Sequence, residues 1–227
     1  MAQRGARAMA GPWTIKAKVC LVGEIAVGKT SLVRRFSQGS FDESYSTTLG
    51  INISKKTVEP PSPPPDVPGR VEMVLFDVMG QRNLRELLVE SYFKGAQALL
   101  AVWDVMRPET LRELPSWIEM AREVAGTIPV VITTNKMDLS PDHTFEADAL
   151  DDVACESGGV CFTTSAKTGE NVEAAFLRLA EDLIHRWESS PPPRPSVGGH
   201  PTLESIARGL VEDSPEMSEE PEDGRTA

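Results

Sequence analysis

Residues 23–31 read GEIAVGKTS and match the pattern G-x-x-x-x-G-K-[ST], in which a glycine-rich loop opens a helix and its backbone N–H groups hold phosphates. The pattern requires a strand before the loop and a helix after it. Residues 17–22 form a short, mostly apolar segment that is typical of a strand, and Leu32, Val33 and Phe36 recur at roughly helical spacing. This context predicts a phosphate-binding loop.

Four residues of the loop have separate tasks. Gly23 and Gly28 permit backbone conformations that a side chain would block. Lys29 supplies a positive charge to the β- and γ-phosphates, and the hydroxyl of Thr30 can bind Mg²⁺. These residue types in this order predict a site for a nucleotide and its magnesium ion.

Strand-like and helix-like segments alternate along the chain. Strands are predicted at 17–22, 51–58, 71–77, 98–103, 128–134 and 159–164, and helices directly after the loop, up to Phe93, at 108–124 with a restart at Pro115, at 146–156 and at 171–187. The alternation predicts an α/β protein with the P-loop NTPase fold, a doubly wound, mainly parallel six-stranded sheet with helices on both faces. Ligands of such sheets bind at the carboxyl ends of the strands, where the phosphate loop and Asp77 fall.

The composition is that of an ordinary globular protein. The chain has 227 residues, of which 40% are apolar and 25% charged, and its formal net charge is −11. This charge argues against non-specific nucleic-acid binding, and three scattered cysteines argue against a disulfide framework or a zinc site. No apolar run approaches the ~20 residues of a membrane span, and the first residues lead into no apolar signal core. We therefore expect a cytoplasmic protein.

Composition also divides the chain into parts. Residues 1–13 are expected to form a flexible arm and residues 14–188 a single domain. Within that domain, residues 59–70 contain six prolines and predict an elongated hairpin tip, with a PxxP ligand for an adaptor domain as the alternative. Residues 189–227 are proline-rich and acidic, and we expect them to be a disordered tail.

Two short motifs indicate which base the nucleotide carries. Residues 135–138 read NKMD after one apolar strand, and residues 164–167 read TSAK after the next. Asp138 can accept two hydrogen bonds from the N1 and N2 donors of guanine, which adenine does not offer in that arrangement. Either motif alone is weak, but both in this order predict a guanine site.

With these motifs the chain resembles the Ras superfamily of small GTPases, and within it most resembles the Rab family. The resemblance runs from about residue 16 to residue 187. It includes the Rab-like stretches YFKGA at 92–96, WDV at 103–105 and TSAKTGENV at 164–172. The resemblance implies a switch that binds GTP or GDP together with Mg²⁺.

The resemblance also implies roles on the phosphate side of the site. Tyr45 would close over the phosphates, Gly80 would donate its N–H to the γ-phosphate, and Gln81 would orient the attacking water. The implied catalytic residues are Gln81, Lys29 and Gly80. The implied metal ligands are Thr30, Thr48 and Asp77.

On the base side, the resemblance implies that Phe41 packs edge-on against guanine and that Lys136 lies along its plane. Asp138 reads the base, Asn135 braces the loop, and the N–H of Ala166 meets the guanine carbonyl. The full set of implied nucleotide-binding residues is Gly23, Glu24, Ile25, Ala26, Val27, Gly28, Lys29, Thr30, Ser31, Phe41, Tyr45, Thr48, Gly80, Asn135, Lys136, Asp138, Ser165, Ala166 and Lys167.

Four departures from the family pattern qualify the resemblance. Residues 77–82 read DVMGQR where the family has DTAGQE, so Met79 and Arg82 add bulk and a reversed charge beside Gln81. Ile25 occupies a loop position that is usually small. The proline-rich stretch between the two switch segments has no counterpart in ordinary members. The last cysteine is Cys161, so we expect no direct lipid anchor.

Three functions are compatible with these motifs. The first is a switch that hydrolyses GTP slowly without an activating protein. The second is a non-cycling, GTP-bound interaction module in which Ile25 and Met79 suppress hydrolysis. The third is an ATP-using P-loop enzyme, against which Asp138 and Ala166 argue. For the first function we expect a monomer that meets effectors, exchange factors and GTPase-activating proteins through residues 47–53 and 77–93, and that reaches membranes through such partners.

Overall fold

The computed structural model describes residues 14–42, 50–59, 69–78, 90–140 and 147–189. The chain divides into two units, Met1–Pro191 and Pro192–Ala227, and all the described residues belong to the first. The expected arm, most of the proline-rich stretch and nearly all of the expected tail lie outside the described residues.

A six-stranded sheet forms the centre of the domain. Its strands are β1 (Thr14–Val22), β2 (Ile51–Val58), β3 (Arg70–Val78), β4 (Ala98–Asp104), β5 (Val130–Asn135) and β6 (Val160–Thr163). Their spatial order is β2-β3-β1-β4-β5-β6. The β2–β3 pair is antiparallel and every other pair is parallel. The predicted doubly wound, mainly parallel sheet is confirmed.

Helices cover both faces of the sheet. They are α1 (Lys29–Gln38), α2 (Glu109–Arg112), α3 (Leu114–Ala125), α4 (Ala147–Ser157) and α5 (Val172–Ser189), and residues 90–93 are also helical. Among the described helices, none is both long and apolar enough to cross a membrane.

Strand β1 supplies both cores, because successive side chains of a strand point to opposite faces. Val19 and Leu21 join the core that lies under α1 and α5, where the rings of Phe36 and Phe176 stack with their centroids 4.0 Å apart. Cys20 belongs to the other core, beneath α3 and α4. The central strands are therefore apolar on both faces, as buried parallel strands require.

Several predicted boundaries shift by a few residues. Strand β1 begins at Thr14 rather than residue 17, since Ile15 is already buried and paired with Val71 of β3. Strand β5 begins at Val130, after Pro129, whose carbonyl accepts a hydrogen bond from the N–H of Leu99. The segment predicted as one helix with a restart is two helices, α2 and α3, and Pro115 lies in the first turn of α3, where its missing N–H costs nothing.

Tyr92 ties together the strand ends beneath the phosphate loop. Its hydroxyl oxygen lies 3.1 Å from the N–H of Leu21, from which it accepts, and 2.6 Å from the carbonyl oxygen of Phe76. The ring is buried. The carboxyl ends of β1 and β3 are thereby held side by side at the edge where the functional residues collect.

Candidate functional site

The phosphate loop connects β1 to α1, and its two glycines are required by the surrounding backbone. Gly23 has a φ of +133°, and a Cβ built on it would lie 2.1 Å from the carbonyl oxygen of Val102. Gly28 has a φ of +100°, and a Cβ there would lie 2.3 Å from Nδ2 of Asn135. Both positions therefore exclude any side chain, which agrees with the task that the sequence assigns to them.

The remaining loop residues differ in exposure. Val27 is fully buried in the core, so only its backbone faces the site, whereas the side chain of Ile25 is 36% exposed. Glu24, Ala26 and Ser31 are half-buried. Ala26 has a φ of +63°, a left-handed conformation that an L-residue adopts only when its surroundings hold it there.

Lys29 lies inside the arc of the loop. Its side chain is buried, and its ammonium group donates to the carbonyl oxygens of Gly23 and Glu24, both at 2.8 Å. A buried ammonium at the start of α1 adds to the positive end of the helix dipole. The structure therefore concentrates positive charge at the point where the loop would hold phosphates.

Thr30 and Asp77 meet close to Lys29. The hydroxyl of Thr30 donates to Oδ2 of Asp77 at 2.5 Å. Asp77 is only 1% exposed, and its Oδ1 is buried without a hydrogen-bond partner among the described residues. Burial raises the pKa of this carboxyl, and the hydrogen bond from Thr30 and the charge of Lys29 oppose that shift.

This pair fits a magnesium ion. A hydroxyl and a carboxylate are the hard oxygen ligands that Mg²⁺ prefers, and an unpartnered buried carboxylate oxygen is stabilised by a cation. The described residues contain no group of three His, Cys, Asp or Glu side chains that could hold a metal. Mg²⁺ is commonly held by one or two protein ligands together with phosphate oxygens, and the Thr30–Asp77 pair fits that mode of binding.

Asn135, at the end of β5, connects the phosphate loop to the base side. Its Nδ2 donates to the carbonyl oxygen of Val27 at 2.9 Å. Its Oδ1 accepts from the backbone N–H of Ala166 at 3.2 Å. One buried amide therefore bonds to two loops, at residues 27 and 166, which are 139 positions apart in the sequence.

Asp138 and Ser165 are also brought together. The Ser165 hydroxyl donates to Oδ1 of Asp138 at 2.7 Å and itself accepts from the N–H of Thr168 at 3.1 Å. Asp138 remains exposed. Its carboxylate is thus held in one direction while its second oxygen stays accessible to a ligand.

Arg35 contacts the loop after β6, and the sequence predicted no role for it. Its guanidinium donates to the carbonyl oxygens of Ala166 at 2.8 Å and Gly39 at 3.1 Å, and to that of Lys167. It also lies 6.0 Å from the centre of the Phe41 ring. Arg35 therefore fixes the loop 165–167 against the end of α1. No local pattern around Arg35 could predict these contacts, because Ala166 and Lys167 are distant in the sequence.

Asp104 and Arg107 are two further residues without a predicted role. Lys136, which has a φ of +67°, donates from its ammonium group to Oδ2 of Asp104 at 2.7 Å, and Arg107 Nε donates to the same oxygen at 3.0 Å. Asp104 is the last residue of a buried strand, and Asp77 is the last residue but one of β3. An aspartate at the end of an apolar run was therefore a signal for both in the sequence. Four predicted residues, Tyr45, Thr48, Gly80 and Gln81, lie outside the described residues.

Comparison with known proteins places this site in a family. A family model described as the Ras family matches residues 18–185. Human Rab-30 is 34% identical over 169 residues, which cover 74% of this chain and 79% of Rab-30. RABD2a of Arabidopsis thaliana is 29% identical over 194 residues, 82% of this chain and 92% of the relative. RIC1 of rice is 31% identical over 175 residues, covering 77% and 83% respectively.

Proposed function

This chain belongs to the Ras superfamily of small GTPases and is most similar to its Rab members, and from that membership we propose that it is a switch that binds GTP and GDP with Mg²⁺ and hydrolyses GTP slowly. Members of the family are GTPases that act as molecular switches in trafficking or signalling. GTP and Mg²⁺ order the two switch segments, and hydrolysis releases them.

One observation carries the proposal: Asn135 bonds the phosphate loop on one side and the loop of Ala166 on the other. The two loops are the expected binding sites for the two ends of a guanine nucleotide. A nucleotide that bridges them would be held at its phosphates and at its base by one connected network, which supports tight binding of a specific base.

The metal half of the proposal rests on Thr30 and Asp77. Their oxygens lie together beside Lys29, and Oδ1 of Asp77 is buried without a described partner. When bound, Mg²⁺ neutralises charge on the phosphates. Lys29 adds its own positive charge there, and the Thr30 hydroxyl and the Asp77 carboxylate would orient the ion.

Slow hydrolysis is proposed from the residues around the γ-phosphate. Gln81 is retained to orient water and Gly80 to donate its N–H, while Met79 adds bulk beside them. The side chain of Ile25 is 36% exposed at the loop, where an arginine finger of an activating protein would approach. Such a finger is worth roughly 10³–10⁵ in rate, so obstruction by Ile25 would leave mainly the slow intrinsic reaction.

The exposed Ile25 also favours a second function, a GTP-bound interaction module that does not cycle.

In either case effectors, exchange factors and activating proteins would meet residues 47–53 and 77–93. Ile53 in the first of these segments is 44% exposed on β2, the outer strand of the sheet, and an exposed apolar side chain on an edge strand suits such contacts. We propose a cytoplasmic monomer that partners recruit to membranes.

One experiment tests the function and separates the two forms of it. The nucleotide that co-purifies with the protein is identified, the protein is loaded with GTP and Mg²⁺, and phosphate release is followed over hours. A cycling switch releases one phosphate per protein, and a non-cycling module keeps its GTP. Retention of ADP or ATP in preference to guanine nucleotides contradicts both.

A further inference from the structure

Three charged side chains meet at the end of β4, and we call Asp104, Arg107 and Lys136 the Asp104 cluster. Oδ2 of Asp104 accepts from Lys136 Nζ at 2.7 Å and from Arg107 Nε at 3.0 Å, and Oδ1 accepts from the N–H of Met106 at 3.0 Å. The carboxylate is only 2% exposed. A buried carboxylate is stable when it is paired and hydrogen-bonded, and Asp104 is paired with two cations.

The turn that carries Arg107 is held at both ends. The hydroxyl oxygen of Thr110 accepts from the N–H of Asp104 at 3.0 Å, and the hydroxyl donates to the carbonyl of Arg107 at 2.7 Å. The N–H of Arg107 donates to the carbonyl of Asp104 at 2.8 Å. The side chain of Arg107 therefore leaves a fixed backbone, which reduces the entropy lost when its guanidinium is ordered.

A second N–H group of the Arg107 guanidinium reaches the phosphate loop. Nη2 of Arg107 donates to the carbonyl oxygen of Ile25 at 2.8 Å. Because a trans peptide is planar, its C=O and the next N–H point in opposite directions. A hydrogen bond that holds the carbonyl of Ile25 toward Arg107 thus directs the N–H of Ala26 the other way, and it supports the positive φ of Ala26.

We propose that Arg107 is a positioning residue for the phosphate loop, which it ties to the base side through Asp104 and Lys136. Arg107 acts through the Ile25–Ala26 peptide and through the carboxylate that also holds Lys136, without touching the nucleotide. This inference rests on the proposed function. We therefore expect binding of the β-phosphate to depend on Arg107, since backbone N–H groups of this loop hold the α- and β-phosphates.

The test compares GDP with GMP, which lacks the β-phosphate, in Arg107→Gln and Arg107→Lys. For Arg107→Gln we expect GDP release faster by about tenfold, because a charge-assisted hydrogen bond is worth roughly one tenfold step in affinity. The loss of GMP affinity should be smaller, because GMP offers the loop only its α-phosphate. Arg107→Lys should fall between, since one ammonium cannot replace the fork that joins Asp104 to Ile25.

Arg178→Gln is the matched control. Arg178 Nε lies 2.9 Å from Asp182 in α5, and its side chain is 38% exposed, against 34% for Arg107. We expect its GDP release to match that of the wild type. The melting temperatures of all variants are measured in parallel, and Arg107→Lys serves if Arg107→Gln does not fold.

Two results would overturn the inference while leaving the proposed function intact. One is that the wild-type protein prefers GDP to ADP and both Arg107 variants release GDP at the wild-type rate. The other is an equal loss of GDP and GMP affinity, which would indicate general loosening of the site. A wild-type protein without preference for GDP over ADP would instead contradict the proposed function, and this inference with it.

Discussion

The side-chain amide of Asn135 lies 2.9 Å from the carbonyl oxygen of Val27, 108 residues away in sequence. The bond crosses from the end of β5 to the phosphate loop, and the amide oxygen continues to Ala166. Gly28 leaves the space for it, because a Cβ at that position would lie 2.3 Å from the same amide nitrogen. The side chain of Asn135 therefore bonds directly to both halves of the proposed nucleotide site.

Asn135→Asp removes this join at nearly constant volume. A carboxylate cannot donate to the carbonyl of Val27, and two acceptors would then face each other in a buried place. We expect GDP release to accelerate by at least tenfold and the free energy of unfolding to fall by about 1–3 kcal/mol, the cost of an unsatisfied buried group. Stopped-flow release and denaturant unfolding measure the two quantities.

Asn171→Asp is the control for that variant. Asn171 Nδ2 also donates to a backbone carbonyl, that of Thr163, at 2.9 Å, but at an exposed position. Water can replace this bond, so we expect a small change in stability and none in GDP release. Equal effects of the two substitutions would contradict the special role of Asn135.

Asp138→Asn should change the base that the site prefers. The Ser165 hydroxyl would still donate to Oδ1 of the new side chain, as it does now at 2.7 Å, which leaves the amide donor toward the ligand. An amide cannot accept both guanine donors, but it can donate to the carbonyl oxygen of xanthine. We expect GDP affinity to fall by at least ~10²-fold and XDP affinity to rise. Calorimetry with GDP, XDP and ADP checks this, with Asp152→Asn, at an exposed position of α4, as the control.

Asp77→Asn should separate metal binding from folding. In EDTA and without nucleotide, the wild type keeps a buried carboxylate whose pKa burial raises, so ionising it at pH 7 opposes folding. Removing that charge should raise the melting temperature, by roughly 2–4 °C for each kcal/mol gained. With Mg²⁺ and GDP the order should reverse, because the variant loses a metal ligand. A variant that melts below the wild type in both conditions would contradict the assignment of Asp77.

Hydrolysis should depend on Gln81 and assisted hydrolysis on Ile25. We expect Gln81→Leu to slow single-turnover GTP hydrolysis further, since water is no longer oriented.

Ile25→Gly should restore the response to a Ras-type arginine-finger activator, because the exposed branched side chain no longer obstructs the approach. Met79→Ala tests the second bulky residue. If Gln81→Leu hydrolyses as fast as the wild type, Gln81 does not position the water.

The sequence by itself determined the class of fold and the residue motifs from which a guanine-nucleotide site is proposed. Local patterns were enough, because a phosphate loop, strand periodicity and the NKMD and TSAK motifs each lie within a few consecutive residues. The restart at Pro115 was also predictable, since proline has a strong local effect on a helix. Boundaries such as the start of β1 were harder to predict from the sequence, because Ile15 joins the strand through its pairing with Val71.

Only the tertiary structure decided which side chains hold the loops together. Arg35, Asp104 and Arg107 bond to residues that are 131, 32 and 82 positions away, respectively. For Asp104 and Arg107 such contacts arise because the sheet order places the carboxyl ends of β1, β4 and β5 side by side. Arg35 meets its partner because α1 lies against the loop after β6. No local pattern of residue types encodes that proximity. The predicted site residues could therefore be proposed from local motifs, whereas the contacts of Arg35 and Arg107 became visible only when the strands were assembled.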